Sequence, residues 1–170
     1  MIISNKESLV SHGNVEIRKK LLEIAEGAIS EMDPDVFLNN YVEVDENSVK
    51  VENTSYNLSD IDRIFVIGVG KGSSYLVGAL EKILKGRVQE GVVVEKEGQG
   101  KNLDEIPVLE ASHPLPSESG FNASKRVVEI AKKAKEDDLV FFCILGGASS
   151  LLPYPPEEID ISEKAKMTDL

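Results

Sequence analysis

The chain has 170 residues, 41% of them hydrophobic and 29% charged, which fits an ordinary globular unit and excludes a disordered or collagen-like polypeptide. Thirty acidic residues against nineteen basic ones leave a net charge of -11, which argues against nucleic acid or an anionic membrane as partner. One cysteine, Cys143, and two histidines, His12 and His113, exclude a disulfide framework and a Cys/His metal cluster within the chain, while a hard cation held by carboxylates stays open.

There is no apolar run of about 18 residues, and the start, MIISNKESLV, lacks the basic and apolar regions of a signal peptide. The expected compartment is therefore the cytoplasm. The acidic surplus is uneven: Met1 to Asp60 hold twelve acids and five bases. Three stretches, Ile64 to Leu80, Ala111 to Ser117 and Leu139 to Pro156, contain no acid at all.

From Asn14 to Glu31, Val15, Ile17, Leu21, Leu22, Ile24, Ala25, Ala28 and Ile29 recur at helical spacing opposite a charged face, which predicts an amphipathic helix. Met32-Asp33-Pro34 ends it, and Asp33 to Asn40 predicts a short helical turn capped by the aspartate. Tyr41 to Val44 and Val49 to Val51 flank a polar turn and predict a small hairpin. Arg63 to Gly70 is a β-branched and aromatic run ending in glycines, as in a strand buried on both faces of a parallel sheet.

A helix follows, with Leu76, Val77, Leu80, Ile83 and Leu84 on one side and Gly86 beyond its end. Gly91 to Glu95 and Ile106 to Ala111 predict strands. Ser117 caps a further helix carrying Phe121, Val127, Val128 and Ala131, and Leu139 to Leu145 is the most hydrophobic strand. Ser162 is the predicted cap of a last helix that breaks off after about two turns, so a longer parent protein is expected. The order describes an α/β fold: a three-layer Rossmann-like domain with a mainly parallel sheet, preceded by an amphipathic helix and a small hairpin. Its boundaries are a lead-in at 1–60, the core at 61–160 and the start of a helix at 161–170. Ligands of such sheets sit at the carboxyl ends of the strands, where the three acid-free stretches fall.

Gly68-Val69-Gly70-Lys71-Gly72-Ser73-Ser74 joins strand to helix, where backbone N–H groups and the helix dipole attract an anion and Lys71 adds a charge. The same glycines would also serve a tight turn alone. It is not a Walker A loop, because Gly72 follows Lys71. It departs from the dinucleotide fingerprint too, with Ser73 in place of a third glycine and Glu95 standing 25 residues beyond Gly70. Gly146-Gly147-Ala148-Ser149-Ser150 offers a second nest of N–H groups with two hydroxyls. His113, in Ala111-Ser-His-Pro-Leu-Pro-Ser117, could bind a substrate carboxylate or hydroxyl or tie its loop to backbone. Cys143 is read as packing.

In this order, Gly68-Val-Gly-Lys71-Gly, His113-Pro-Leu-Pro-Ser-Glu-Ser-Gly120 and Asp138-Leu-Val-Phe-Phe-Cys-Ile-Leu-Gly-Gly-Ala-Ser-Ser-Leu-Leu152 resemble the amino-terminal part of the MOFRL-type glycerate 2-kinase family, whose members are often labelled hydroxypyruvate reductases. The resemblance implies phosphoryl transfer from ATP to D-glycerate with a divalent cation, Mg2+, in a cleft between two α/β domains. It casts Lys71 as catalytic. It matches Gly146, Gly147, Ser149 and Ser150 to a loop of the family, and together with the loop chemistry above the expected substrate- or phosphate-binding residues are Gly68, Gly70, Gly72, Ser73, His113, Gly146, Gly147, Ala148, Ser149 and Ser150. Leu145 stands where the family has serine, and Ala148 replaces its third glycine.

The family's carboxyl-terminal domain is not in this sequence, and no metal ligand is assigned within it. The chain alone is expected to bind an anion without turning over, with a homodimer an open alternative. Two rival readings stand beside this one, a phosphosugar-binding domain of sugar-isomerase type and a noncatalytic α/β interaction module.

Overall fold

Polar side chains that satisfy backbone amides open the second and third helices of the computed structural model, which describes residues 2–169. After a short helix α1 (Lys6–Val10), Asn14 caps α2 (Val15–Glu31) by accepting from the Ile17 amide, and Asp33 caps α3 (Pro34–Phe37) by accepting from the Asp35 amide. Lys6 pairs with Glu26 and the Arg18 guanidinium donates to the Leu9 carbonyl, which holds α1 along α2. The apolar face of α2 stays open, with Leu21 60% and Ile24 69% exposed.

A 3-10 turn at Leu38–Asn40 leads into the strands β1 (Val42–Val44), β2 (Ser48–Val51) and β3 (Thr54–Asn57), an antiparallel sheet in chain order. The first two are the expected hairpin; its turn is held by Asp45, which accepts from the Asn47 and Ser48 amides at 2.7 Å each. The third strand was not expected, since Thr54-Ser-Tyr-Asn57 is exposed throughout and shows no apolar alternation.

The main sheet has the order β6-β5-β4-β7, with β4 at Arg63–Val69, β5 at Val88–Lys96, β6 at Val108–Ala111 and β7 at Asp138–Ile144, and every pairing is parallel. Helices α4 (Ser73–Leu84) and α5 (Glu118–Lys133) cover opposite faces. Side chains alternate along β4, so Ile64 and Val66 join Val77, Leu80 and Leu84 of α4, while Phe65, Ile67 and Val69 join Val127 and Ile130 of α5. Val42 and Val49 of the small sheet enter the α4-side core, which fixes the lead-in strands to the domain.

The most hydrophobic strand, β7, lies at the sheet edge. Leu139, Phe141 and Cys143 face the core, whereas Val140, Phe142 and Ile144 point outward and are exposed. Arg63 and Asp138, opposite each other in the ladder, form a two-pronged ion pair at 2.6 and 3.0 Å that ties β7 to β4 at its start.

Beyond β7 come α6 (Ala148–Leu151) and α7 (Ile161–Thr168). The cap of α7 is Asp160, which forms a reciprocal capping box with Glu163, and not the expected Ser162. Among the described residues no helix is long and apolar enough to cross a membrane.

Candidate functional site

All four strands of the main sheet run in one direction, so the segments that follow them emerge on one edge. After β4 the chain turns through Gly70, Lys71 and Gly72 into α4. Gly70 has φ +121 and lies so close to the loop after β7 that a Cβ there would sit 2.6 Å from the Leu145 carbonyl carbon and oxygen. Only glycine permits both the backbone and the approach. The approach is sealed by the Lys71 amide donating to the Gly146 carbonyl at 2.9 Å and the Leu145 amide donating to the Val69 carbonyl at 2.8 Å.

The third segment arrives from β6. Gly147 has φ +91, and a Cβ built on it would come within 2.9 and 3.0 Å of His113 Cδ2 and Nε2 and within 3.3 Å of Lys71 Cε. The fold thus brings Lys71, His113 and the Gly146–Ser150 loop, read separately from the sequence, to one place. The Lys71 ammonium is exposed and has no ion-pair or hydrogen-bond partner among the described residues. In the second loop the amides of Gly146, Gly147 and Ser149 make no internal hydrogen bond among the described residues, whereas Ser150 Oγ donates to the Gly147 carbonyl at 3.2 Å. Ala148 opens α6, its amide donating back to the Leu145 carbonyl.

The first loop is different. Gly68 is buried within β4, where a Cβ would meet Val77 and Val93, so it admits the close packing of α4. The Gly70 amide donates to the Val94 carbonyl, the Ser73 amide to the Gly70 carbonyl, and Ser73 Oγ to the Val94 carbonyl. The amides of Gly72 and Ser74 donate to the carboxylate of Glu95, at 2.9 to 3.1 Å. Every amide from Gly70 to Ser74 therefore has an acceptor within the chain. The loop is acid-free in sequence but not in space: the register that pairs Val69 with Val94 sets Glu95 beside the turn.

Cys143 packs against the α4-side core, and burial pushes its thiol up to about 11, so it is no nucleophile at neutral pH. Among the described residues no three His, Cys, Asp or Glu side chains are grouped to hold a metal ion. Both oxygens of the Glu95 carboxylate, beside the first glycine turn, are taken up by N–H and O–H donors. The residues present therefore do not fit Mg2+.

A family model described as a domain of unknown function, DUF4147, matches residues 20–170. The chain belongs to the DUF4147 family. The chain is similar to a glycerate 2-kinase of Pyrococcus horikoshii, 35% identical over 156 residues that make up 92% of this chain and 34% of that protein. A crystal structure from Pyrococcus horikoshii superposes with a TM-score of 0.77 at 35% identity, over 86% of this chain and 33% of that one. The crystal structure of a glycerate kinase from Thermotoga maritima gives 0.74 at 27% identity, over 91% and 34%. The chain thus spans about a third of the length of these relatives. The DUF4147 match includes Lys71, His113 and both glycine loops, as well as Glu95, which the sequence reading did not propose for the site. The available signal was a charged residue closing an apolar strand, Val92-Val-Val-Glu95, opposite a glycine turn.

Proposed function

We propose that this chain is part of an ATP-dependent glycerate 2-kinase, in which it holds an anionic group of D-glycerate or of the nucleotide at Lys71, His113 and the Gly146–Ser150 loop. The observation that carries the reading is the meeting of an unpaired lysine, a histidine and a loop with unpaired amides at one strand-end edge. Phosphoryl transfer asks chiefly for alignment of the reactants and neutralisation of charge, and these groups supply both without covalent chemistry. Lys71 offsets charge on the bound anion, the amides of Gly146, Gly147 and Ser149 fix its oxygens, and His113 orders a hydroxyl or carboxylate beside them.

Cation ligands and the group that accepts the proton of the glycerate hydroxyl would come from a carboxyl-terminal domain closing over the strand ends. In this reading residues 61–160 are the core of the binding domain, 1–60 its lead-in and 161–170 the approach to the second domain. The protein works in the cytoplasm. Glycerate kinase relatives favour this over the phosphosugar-binding and interaction-module alternatives.

Two assays test it. Purified 170-residue chain supplied with ATP, Mg2+ and D-glycerate gives no 2-phosphoglycerate, whereas protein that carries this chain together with a second domain does; turnover by the chain alone contradicts the division of labour. In the active protein, Lys71→Ala lowers kcat/KM by about a hundredfold or more with the fold intact by circular dichroism. Unchanged kinetics would return Lys71 to a surface charge.

A further inference from the structure

Glu95 is fully buried, and the other carboxylate whose side chain is as enclosed, Asp138, is held by the Arg63 guanidinium, whereas Glu95 has no basic side chain bonded to it among the described residues. A carboxylate survives burial only when its oxygens are satisfied. Here the Gly72 amide donates to both oxygens at 2.9 and 3.0 Å, the Ser74 amide and hydroxyl donate to Oε2 at 3.1 and 3.0 Å, and the Lys96 amide donates to Oε1 at 3.0 Å. Ser74 Oγ in turn accepts from the Lys101 amide at 3.1 Å, which draws the loop after β5 into the same network.

The place that Glu95 occupies is the positive end of α4, where a glycine turn ordinarily presents its amides to a phosphate. The chain has filled that place from within. With the Gly70 amide on the Val94 carbonyl and the Lys71 amide on the Gly146 carbonyl, the turn is clamped on both sides of Lys71. The only freedom left to Lys71 is in its side chain, whose stem runs toward Gly147.

We propose that Glu95 is a positioning residue, an internal anion standing where a ligand phosphate would otherwise sit, which locks the turn so that Lys71 is aimed at His113 and Gly147. The first glycine loop is accordingly a mount for Lys71 and not itself a phosphate cradle. The inference rests on the reading of the site given above only in what Lys71 is aimed at; the lock itself is independent of it.

Hydrogen exchange on the 170-residue chain reads the lock directly. Glu95→Gln preserves side-chain volume but turns an NH2 group toward the donors, so the Gly72 and Ser74 amides exchange at least about tenfold faster while Phe65 to Val69 keep their protection. In Glu95→Ala the same amides are freed, and added acetate slows them again, a rescue that a mere packing role would not show. Gly72 and Ser74 exchanging as slowly in Glu95→Gln as in wild type would overturn the proposal, as would protection lost across β4 as well. Should the alanine variant not fold, the glutamine variant decides.

In protein that phosphorylates glycerate, Glu95→Gln lowers kcat by about tenfold with little change in KM, and adds no loss in a Lys71→Ala background. Losses that multiply would place the effect of Glu95 outside Lys71 and overturn the positioning role. Absence of glycerate turnover in the unaltered protein would count against the kinase reading alone, and the exchange experiment would still decide the lock.

Discussion

Gly147 shows how little room the site leaves. Its positive φ and the closeness of His113 and Lys71 Cε mean that Gly147→Ala strains the backbone and displaces one of the two side chains. The expected cost is about 1–2 kcal/mol of stability, with anion affinity falling by about tenfold, measured by thermal unfolding and by calorimetric titration. Unaltered affinity would separate the loop from the ligand. At the opposite end of the sheet the Arg63 guanidinium, opposed by burial and aided by the Lys135 amide, holds the Asp138 carboxyl below its ordinary value of 3.8. A carboxyl lowered in the folded state stabilises above its unfolded pKa and loses that contribution as pH falls through the folded one. Wild type therefore melts above Asp138→Asn at neutral pH, and the gap closes as the solution is acidified below 3.8. A gap that persists at strongly acid pH would assign the difference to packing. Residues of the site were legible where side-chain type alone marks them: a lysine between glycines, a histidine between prolines, a Gly-Gly-Ala-Ser-Ser run. Glu95 was not, because its role comes from the end of the strand that pairs directly with β4, and a tally of acids along the chain cannot see which strand end lies beside which turn.

Elements were legible in proportion to their periodicity. The strand β4, the helices α4 and α5 and the Ser117 cap follow from apolar spacing and one hydroxyl, and the structure has them. Helix α1 has five residues and none buried, so no apolar pattern announces it, and β3 takes its place through backbone pairing with β2 alone. The cap of α7 was misassigned by two residues because Asp160 and Ser162 are both good caps; the capping box with Glu163 decides for the aspartate. Hydrophobicity identified β7 as a strand but carried no information about its position at the edge. Phe142 is 48% exposed, so Phe142→Thr changes stability by no more than about 0.5 kcal/mol, read from the urea midpoint. Because an apolar edge strand invites pairing between chains, the same variant lowers self-association in sedimentation. A large loss of stability would show that the outer face of β7 is already covered.

At the scale of the whole molecule, the charge of -11 is kept away from the cleft in one sense and admitted in another. No carboxylate stands in the turn Gly70 to Gly72, in Ser112 to Ser117 or in Leu145 to Leu152, and the acid that does reach them, Glu95, is taken up by backbone amides and the Ser74 hydroxyl. An acidic protein can thus present a locally cationic edge to an anion, carried by Lys71. The parallel order of the sheet creates that edge by sending Lys71, His113 and Gly147 to the same end from three different strands. The most direct test is an amide-resolved NMR titration of the 170-residue chain with D-glycerate and, separately, with ATP. Shifts confined to Lys71, His113 and Gly146 to Ser150, absent in Lys71→Ala, are the predicted result; no shift there with either ligand, or shifts centred elsewhere on the chain, would contradict it.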